Sequence, residues 1–163
     1  MKCDAFLSGD RRYRYWLLRV WNEALPVLCL IGVNPSTADE KDDDPTIRRE
    51  VAFAKRDGFG GILKLNLYAY RATDPTAMWK AQKSGVDIIG GTRNWADQLK
   101  QYVSQHNCTM VVAAWGRHGA KRGPDVACRW PAMQCFGKNA DGTPKHPLYL
   151  KADTEIVPLD NRA

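Results

Sequence analysis

Hydrophobic positions along the chain fall into short apolar runs separated by polar stretches rich in proline and glycine. Val27–Val33 (VLCLIGV) follows Pro26 and ends at Asn34-Pro35, the pattern of a fully buried strand running into a loop. Gly61–Tyr68 (GILKLNLY) and Met110–Trp115 (MVVAAW), the latter running into Gly116, predict two more strands. Helical signals lie between them. Asp44-Pro45 supplies an N-cap and a first-turn proline for a helix through Ile47, Val51 and Ala54 to Gly58. Asp74-Pro75 opens another by the same logic. Gly90–His106 predicts a third helix, with Trp95, Leu99, Tyr102 and Val103 on one face. Tyr13–Trp21 (YRYWLLRVW) fits two periods: Tyr13, Trp16, Leu17 and Val20 have helical spacing, while the aromatic content suits a strand. A short segment, Met133–Phe136, precedes a loop over Gly137–Leu150.

Strands alternating with helices predict an α/β fold, a three-layer α/β/α domain with a short central parallel sheet covered on both faces. In such sheets ligands bind beyond the carboxyl ends of the strands, where the glycine- and proline-rich loops lie. A length of 163 residues predicts a single domain over 1–163. The composition, 44% hydrophobic and 26% charged, excludes a disordered or collagen-like chain. Apolar runs such as Ala24–Val33 fall short of the ~20 residues that span a bilayer. Met1-Lys2-Cys3-Asp4 is not the apolar start of a signal peptide. Five cysteines without a C-x-x-C pair argue against a disulfide framework, so a cytoplasmic protein with no membrane association is expected.

Charge changes the picture once it is divided along the chain. The net +6 splits into +2 for residues 1–30, −3 for residues 31–50 and +7 for residues 51–163. A basic chain with one acidic island favours a polyanionic partner such as nucleic acid.

Four constellations can carry chemistry. Gly32-Val33-Asn34-Pro35-Ser36-Thr37 follows the first buried strand; its glycine admits a ligand to the backbone and Asn34 presents an amide, though the stretch also suits a plain Asx-type turn. Asn66, inside Leu63–Leu67, carries the donor–acceptor pair that reads a nucleobase edge, or else satisfies neighbouring backbone. Trp115-Gly116-Arg117-His118-Gly119, with Lys121 and Arg122, suits a phosphate-binding loop or a solvated surface. Lys145-His146-Pro147-Leu148-Tyr149-Leu150 offers a histidine beside Leu148 and Tyr149, which can wedge between bases. The acidic island, Asp39, Glu40 and Asp42–Asp44, can hold magnesium, activate water or serve as a capped, solvated run.

Taken in order, the four pieces resemble the uracil-DNA glycosylase superfamily. Gly32–Ser36 resembles its water-holding motif, Leu63–Ala72 the strand whose asparagine reads the flipped base, Val111–Gly119 the strand ending in tryptophan-glycine, and His146-Pro147-Leu148 the final histidine loop. A closer resemblance, over nearly the whole chain, is to the domain of unknown function 1643 family, through Asn34–Asp39, Asp44–Arg48, Arg71–Pro75 and His146–Leu150.

The glycosylase resemblance implies a uracil-DNA glycosylase-like fold and a monofunctional DNA glycosylase that hydrolyses the N-glycosidic bond of a flipped base without cofactor or metal. Asn34 is then expected to position water with help from Asp39 or Asp42, and His146 to stabilise the departing base. Asn66, Ser36, Gly32 and Tyr68 are expected at the base, and Arg71, Arg117, His118, Lys121, Arg122, Lys145, Leu148 and Tyr149 at the DNA. Ser36 stands where the uracil-specific branch has a wall-forming tyrosine, which implies a pyrimidine enlarged at position 5, as in hypermodified phage DNA, and a role in repair or anti-phage defence. A monomer acting on DNA is expected, with a locally acidic centre inside a cationic surface. The alternatives are a non-catalytic reader of modified bases and a metal-dependent nucleotide- or base-modifying enzyme on the same scaffold.

Overall fold

The computed structural model describes residues 1–91 and 95–160. Its centre is a seven-stranded mixed sheet of β1 (Lys2–Leu7), β2 (Arg14–Val20), β3 (Val27–Gly32), β4 (Gly61–Asn66), β5 (Cys108–Ala113), β6 (Gln134–Cys135) and β7 (Val157–Pro158), in the spatial order β1-β2-β4-β3-β5-β6-β7. The helices are α1 (Pro45–Arg56), α2 (Pro75–Lys83), α3 (Trp95–Gln105) and the single-turn α4 (Gly123–Ala127).

The predicted strands at β3, β4 and β5 are present. β3 pairs in parallel with β4 on one side and β5 on the other, and β6 extends the parallel set. Every residue of β3 and β4 is buried, as continuous apolar runs require when both faces of a sheet are covered. Alternation sends Cys29 and Ile31 of β3 into one core cluster, with Met78 of α2, Leu99 of α3 and Val126 of α4. Leu28 and Leu30 point the other way, into a cluster with Ile47, Phe53 and Ala54 of α1.

Both proline-opened helices form as the sequence predicts. Asp44 Oδ1 accepts from Ile47 N at 2.9 Å at the start of α1, and Asp74 Oδ1 accepts from Ala77 N at 3.0 Å at the start of α2. Gly58, at φ +82°, supplies the left-handed residue after α1.

The expectation of a parallel sheet needs correction. β1 pairs antiparallel with β2, β2 antiparallel with β4, and β7 antiparallel with β6. The ambiguous Tyr13–Trp21 segment is therefore strand β2, whose Leu18 packs in one core cluster and Leu17 in the other. A strand buried on both faces needs no strict alternation, so its apolar positions also matched a helical period. β1 lies at the sheet edge with four of its six residues exposed and offers almost no apolar pattern to read. The helix predicted over Gly90–His106 is shorter: Gly90 and Gly91 are outside it at φ +100° and +80°, residues 92–94 lie outside the described residues, and α3 begins at Trp95.

Candidate functional site

Connections from the parallel strands leave in opposite directions. β3 leads to α1 on one face, while β4 and β5 lead to helices on the other, and a crevice opens beyond the carboxyl ends. A cleft of about 790 Å³ occupies this position. It brings together Gly32, Asn34, Ser36, Asn66, Arg117, His118, Lys145, His146, Leu148 and Tyr149 from the four sequence constellations.

Register explains the floor. Gly32 and Asn66 are the last residues of β3 and β4 and are paired with each other. Asn66 is 1% exposed, yet neither Oδ1 nor Nδ2 has a hydrogen-bond partner. A buried amide left unpaired costs ~1–3 kcal/mol, an arrangement that a ligand bringing complementary groups relieves. A Cβ on residue 32 would lie 2.9 Å from Asn66 Oδ1, so only glycine leaves that atom accessible.

Asn34 is half-buried on the cleft wall. Its Nδ2 donates to the carbonyls of Pro35 (3.1 Å) and Ala72 (3.0 Å), so Oδ1 is the atom left to accept from a water. His146 enters from the loop opposite, against Gly116, whose φ of +64° suits only glycine well. Leu148 N–H donates to His146 Nδ1 at 3.2 Å. Burial, reinforced by the charge of Lys64, holds the His146 pKa down to about 4, so the ring is neutral at pH 7. With Nδ1 accepting, the proton sits on Nε2, which makes that atom a neutral donor. Arg49 donates to the Leu150 carbonyl and pins this loop to α1.

Trp115 completes the wall; Cβ atoms at Gly119 and Gly123 would come within 2.2 and 2.5 Å of its ring. At the rim Tyr149 is 89% exposed, and Arg117 and His118 are exposed.

Other expected residues lie elsewhere. Asp39 pairs with Arg11 at 3.1 Å and accepts the N–H groups of Lys41 and Asp42, which hold its carboxyl below the usual range. Asp42 is exposed, and neither residue lines the cleft, so the expected help to Asn34 does not fit their placement. Tyr68 is buried beside α2, edge-on to Trp79 and under the Arg122 guanidinium. Arg122 is thus half-buried rather than free for phosphate, and Lys121 is exposed outside the cleft. Arg71 donates to the carbonyls of Ser36, Thr37 and Arg11 and braces the Ser36 loop instead of facing a ligand.

The acidic island is not an acidic centre. Asp39 and Glu40 face Arg11, Asp43 pairs with Arg19 at 2.8 Å, and Asp44 caps α1. Among the described residues, no three His, Cys, Asp or Glu side chains are grouped to hold a metal ion, and no helix is long and apolar enough to cross a membrane.

Sequence reasoning gave Asp44 only as a helix cap and a member of the acidic island, and it missed other cleft residues, Arg14 and Lys64 among them. Asp44 lines the cleft while capping α1. Arg14, 1% exposed, donates to the Ala38 carbonyl at 2.8 Å, and burial lowers its pKa to about 10. Lys64 reaches the floor from β4. The signal for Lys64 was available: it stands two residues before Asn66 in a strand and so shares its face.

Neither the curated proteins nor the solved structures contain a match to this chain. A family model does match, over residues 14–148, a span that holds the cleft floor, the Asn34 loop and His146. The chain belongs to the family described as Protein of unknown function (DUF1643).

Proposed function

We propose that the cleft receives a nucleobase turned out of a DNA strand and that the protein hydrolyses its N-glycosidic bond. The observation that carries this reading is Asn66, a buried amide with both polar atoms unpaired on the floor of a strand-end cleft. An amide edge complements the paired donors and acceptors of a base, which pairs with its own strand until it is extruded. The order of the four motifs resembles the uracil-DNA glycosylase superfamily, and a glycosylase-like layering of the helices on this sheet belongs to the same proposal.

The chemistry follows from groups in the cleft. As the C1′–N bond breaks, its electron pair leaves with the base and positive charge develops on the sugar. His146 Nε2–H donates to a carbonyl oxygen of the base as negative charge builds there, a role a neutral imidazole fills without adding a second buried cation. Asn34 Oδ1 accepts from a water that adds to C1′ and releases its proton to solvent. Ser36 leaves the wall open to a substituent at position 5, and a volume of about 790 Å³, within the ~300–1,000 Å³ of ligand sites, accommodates a substituted base with its sugar. Tyr149 and Leu148 fill the space the base vacates, while Arg117 and Lys145 face the backbone phosphates.

A second reading has its own support. The two carboxylates that line the cleft are both engaged, Asp44 by the N–H groups of Ile47 and Ala38 and Asp74 by the Ala77 N–H and the Thr76 hydroxyl, which leaves no uncommitted general base beside Asn34. A non-catalytic reader of modified bases needs none. One experiment separates the two. The protein is incubated with duplex and single-stranded DNA carrying a panel of normal and 5-modified pyrimidines, and abasic sites are read as alkali-labile breaks. Breaks that persist with a chelator and vanish in Asn34→Ala and His146→Ala support the glycosylase; selective binding with no breaks supports the reader. Equal excision of uracil with no excision of any 5-substituted base contradicts the specificity assigned to Ser36.

A further inference from the structure

The mechanism above leaves one buried pair unused. Lys64 Nζ donates to Glu50 Oε1 at 2.5 Å, with the lysine 4% and the glutamate 0% exposed. On one face of β4 Lys64 stands between Ile62 and Asn66, and its neighbour across β3 is the buried Leu30. Burying an ion pair there costs desolvation that a leucine would avoid, so stability alone does not account for it.

Position does. Glu50 Oε1 is the one acceptor within bonding distance of Nζ among the described residues, and it engages one of the three ammonium protons. A Cβ on Gly32 would lie 2.7 Å from Nζ and 2.9 Å from Asn66 Oδ1. Both polar tips therefore converge on the bare face of Gly32, where a ligand atom has room that a side chain would fill. Next to them, Asn66 Nδ2 has no partner. The floor thus presents the donors of an ammonium and an amide NH₂ together with one amide acceptor.

We propose that Lys64 is a catalytic residue of this site: its ammonium contacts an oxygen of the flipped base and carries the negative charge that the base takes away. Glu50 is its positioning residue. The inference rests on the glycosylase reading for its kinetic consequence but not for the contact itself. When the C1′–N bond breaks and its electron pair moves onto the base, the charge spreads to the ring oxygens. A fixed cation there supplies what a strongly acidic leaving base supplies for itself. A base presenting an oxygen at this point is accepted, whereas an exocyclic amine there meets the ammonium and is rejected.

The test uses Lys64→Met and, because Lys64→Met alone leaves Glu50 as an unpaired buried charge, the double variant Lys64→Met/Glu50→Leu. Release of 5-alkyl and 5-fluoro versions of the same base is compared, together with binding of non-cleavable 2′-fluoro oligonucleotides carrying oxo- or amino-pyrimidines. In the variants, release of the 5-alkyl base falls about 100-fold, the scale of one lost electrostatic donor, while the 5-fluoro base recovers most of its rate. Preference for the oxo-pyrimidine in binding disappears. Equal losses on both leaving bases with binding preference retained overturn the proposal. If the wild type cleaves nothing, the glycosylase reading fails, and the binding comparison alone decides whether Lys64 touches the base.

Discussion

At the scale of single residues, His146 is the group whose state the fold sets most firmly. Burial and the Lys64 charge oppose its protonation, with Asp44 acting in the other direction and His118 adding to the depression. Its pKa falls from 6.5 to about 4, so an NMR titration of the His146 ring should show a midpoint near 4. Protonation adds a proton at Nδ1, where the Leu148 N–H now donates, so activity that depends on this ring and loop geometry is expected to stay level from pH 8 to 5 and to change only near that midpoint. The stability consequence has a definite sign. An unfolded chain takes up this proton below about 6.5 and the folded one only near 4, so the contribution is complete above 6.5 and is lost as pH falls toward 4. Relative to His146→Gln, which cannot titrate, the wild type should lose stability across that window in urea melts. Gly32→Ala is the complementary steric test. Its Cβ meets the ammonium end of Lys64 and the Asn66 amide, with no backbone strain because Gly32 is not at positive φ. The variant should fold normally and bind base-bearing DNA about tenfold more weakly, as expected for one compromised hydrogen bond to a buried group.

Among the elements, α1 and β4 carry the site between them. Asp44 begins α1 and accepts two N–H groups, from Ile47 and from Ala38 in the preceding loop. Asp44→Ala should lower stability by about 1–2 kcal/mol in thermal or urea unfolding, the upper part of the range for a lost N-cap. Asp74→Ala, whose cap is exposed, should cost less. These helix starts were legible because an N-cap aspartate followed by proline is a local signal. β4 was legible as a strand from its apolar run, and alternation puts Lys64 on the Asn66 face, but its pairing with Glu50 of α1 and its approach to Gly32 of β3 depend on contacts that no local pattern shows. Tyr68 and Arg71 show the converse. They follow Asn66 closely in sequence, yet the chain turns beyond β4 and sends Tyr68 into the α2 side of the core and Arg71 onto carbonyls of neighbouring loops. Proximity along the chain predicted a shared site that the turn takes apart. β1 escaped notice because an exposed edge strand needs no apolar face.

Across the whole molecule, the charge pattern reads differently once its partners are known. The −3 stretch of residues 31–50 is matched by Arg11, Arg19 and Lys64 from outside it, while the cations at the cleft rim are Lys145 and Arg117, the latter in an exposed pair with Asp141 at 3.8 Å. Those two cations contact phosphate in our account, so replacing either of them with Gln should weaken DNA binding across sequences alike and reduce the slope of log affinity against log salt by about 1. The central parallel strands, and the crevice at their ends, were foreseeable from the strand–helix alternation; the antiparallel flanks were not, because strand direction depends on pairing rather than on any residue. The claim on which everything rests is that a base leaves the DNA through this cleft. Its most direct test is a single-turnover incubation with DNA bearing 5-modified pyrimidines, with the free base in solution quantified by mass spectrometry beside an Asn66→Ala control. The account predicts free base in equal amount to abasic sites for the wild type and a loss of both in the variant. Tight binding without free base from any member of the panel, or equal release by Asn66→Ala, would contradict it.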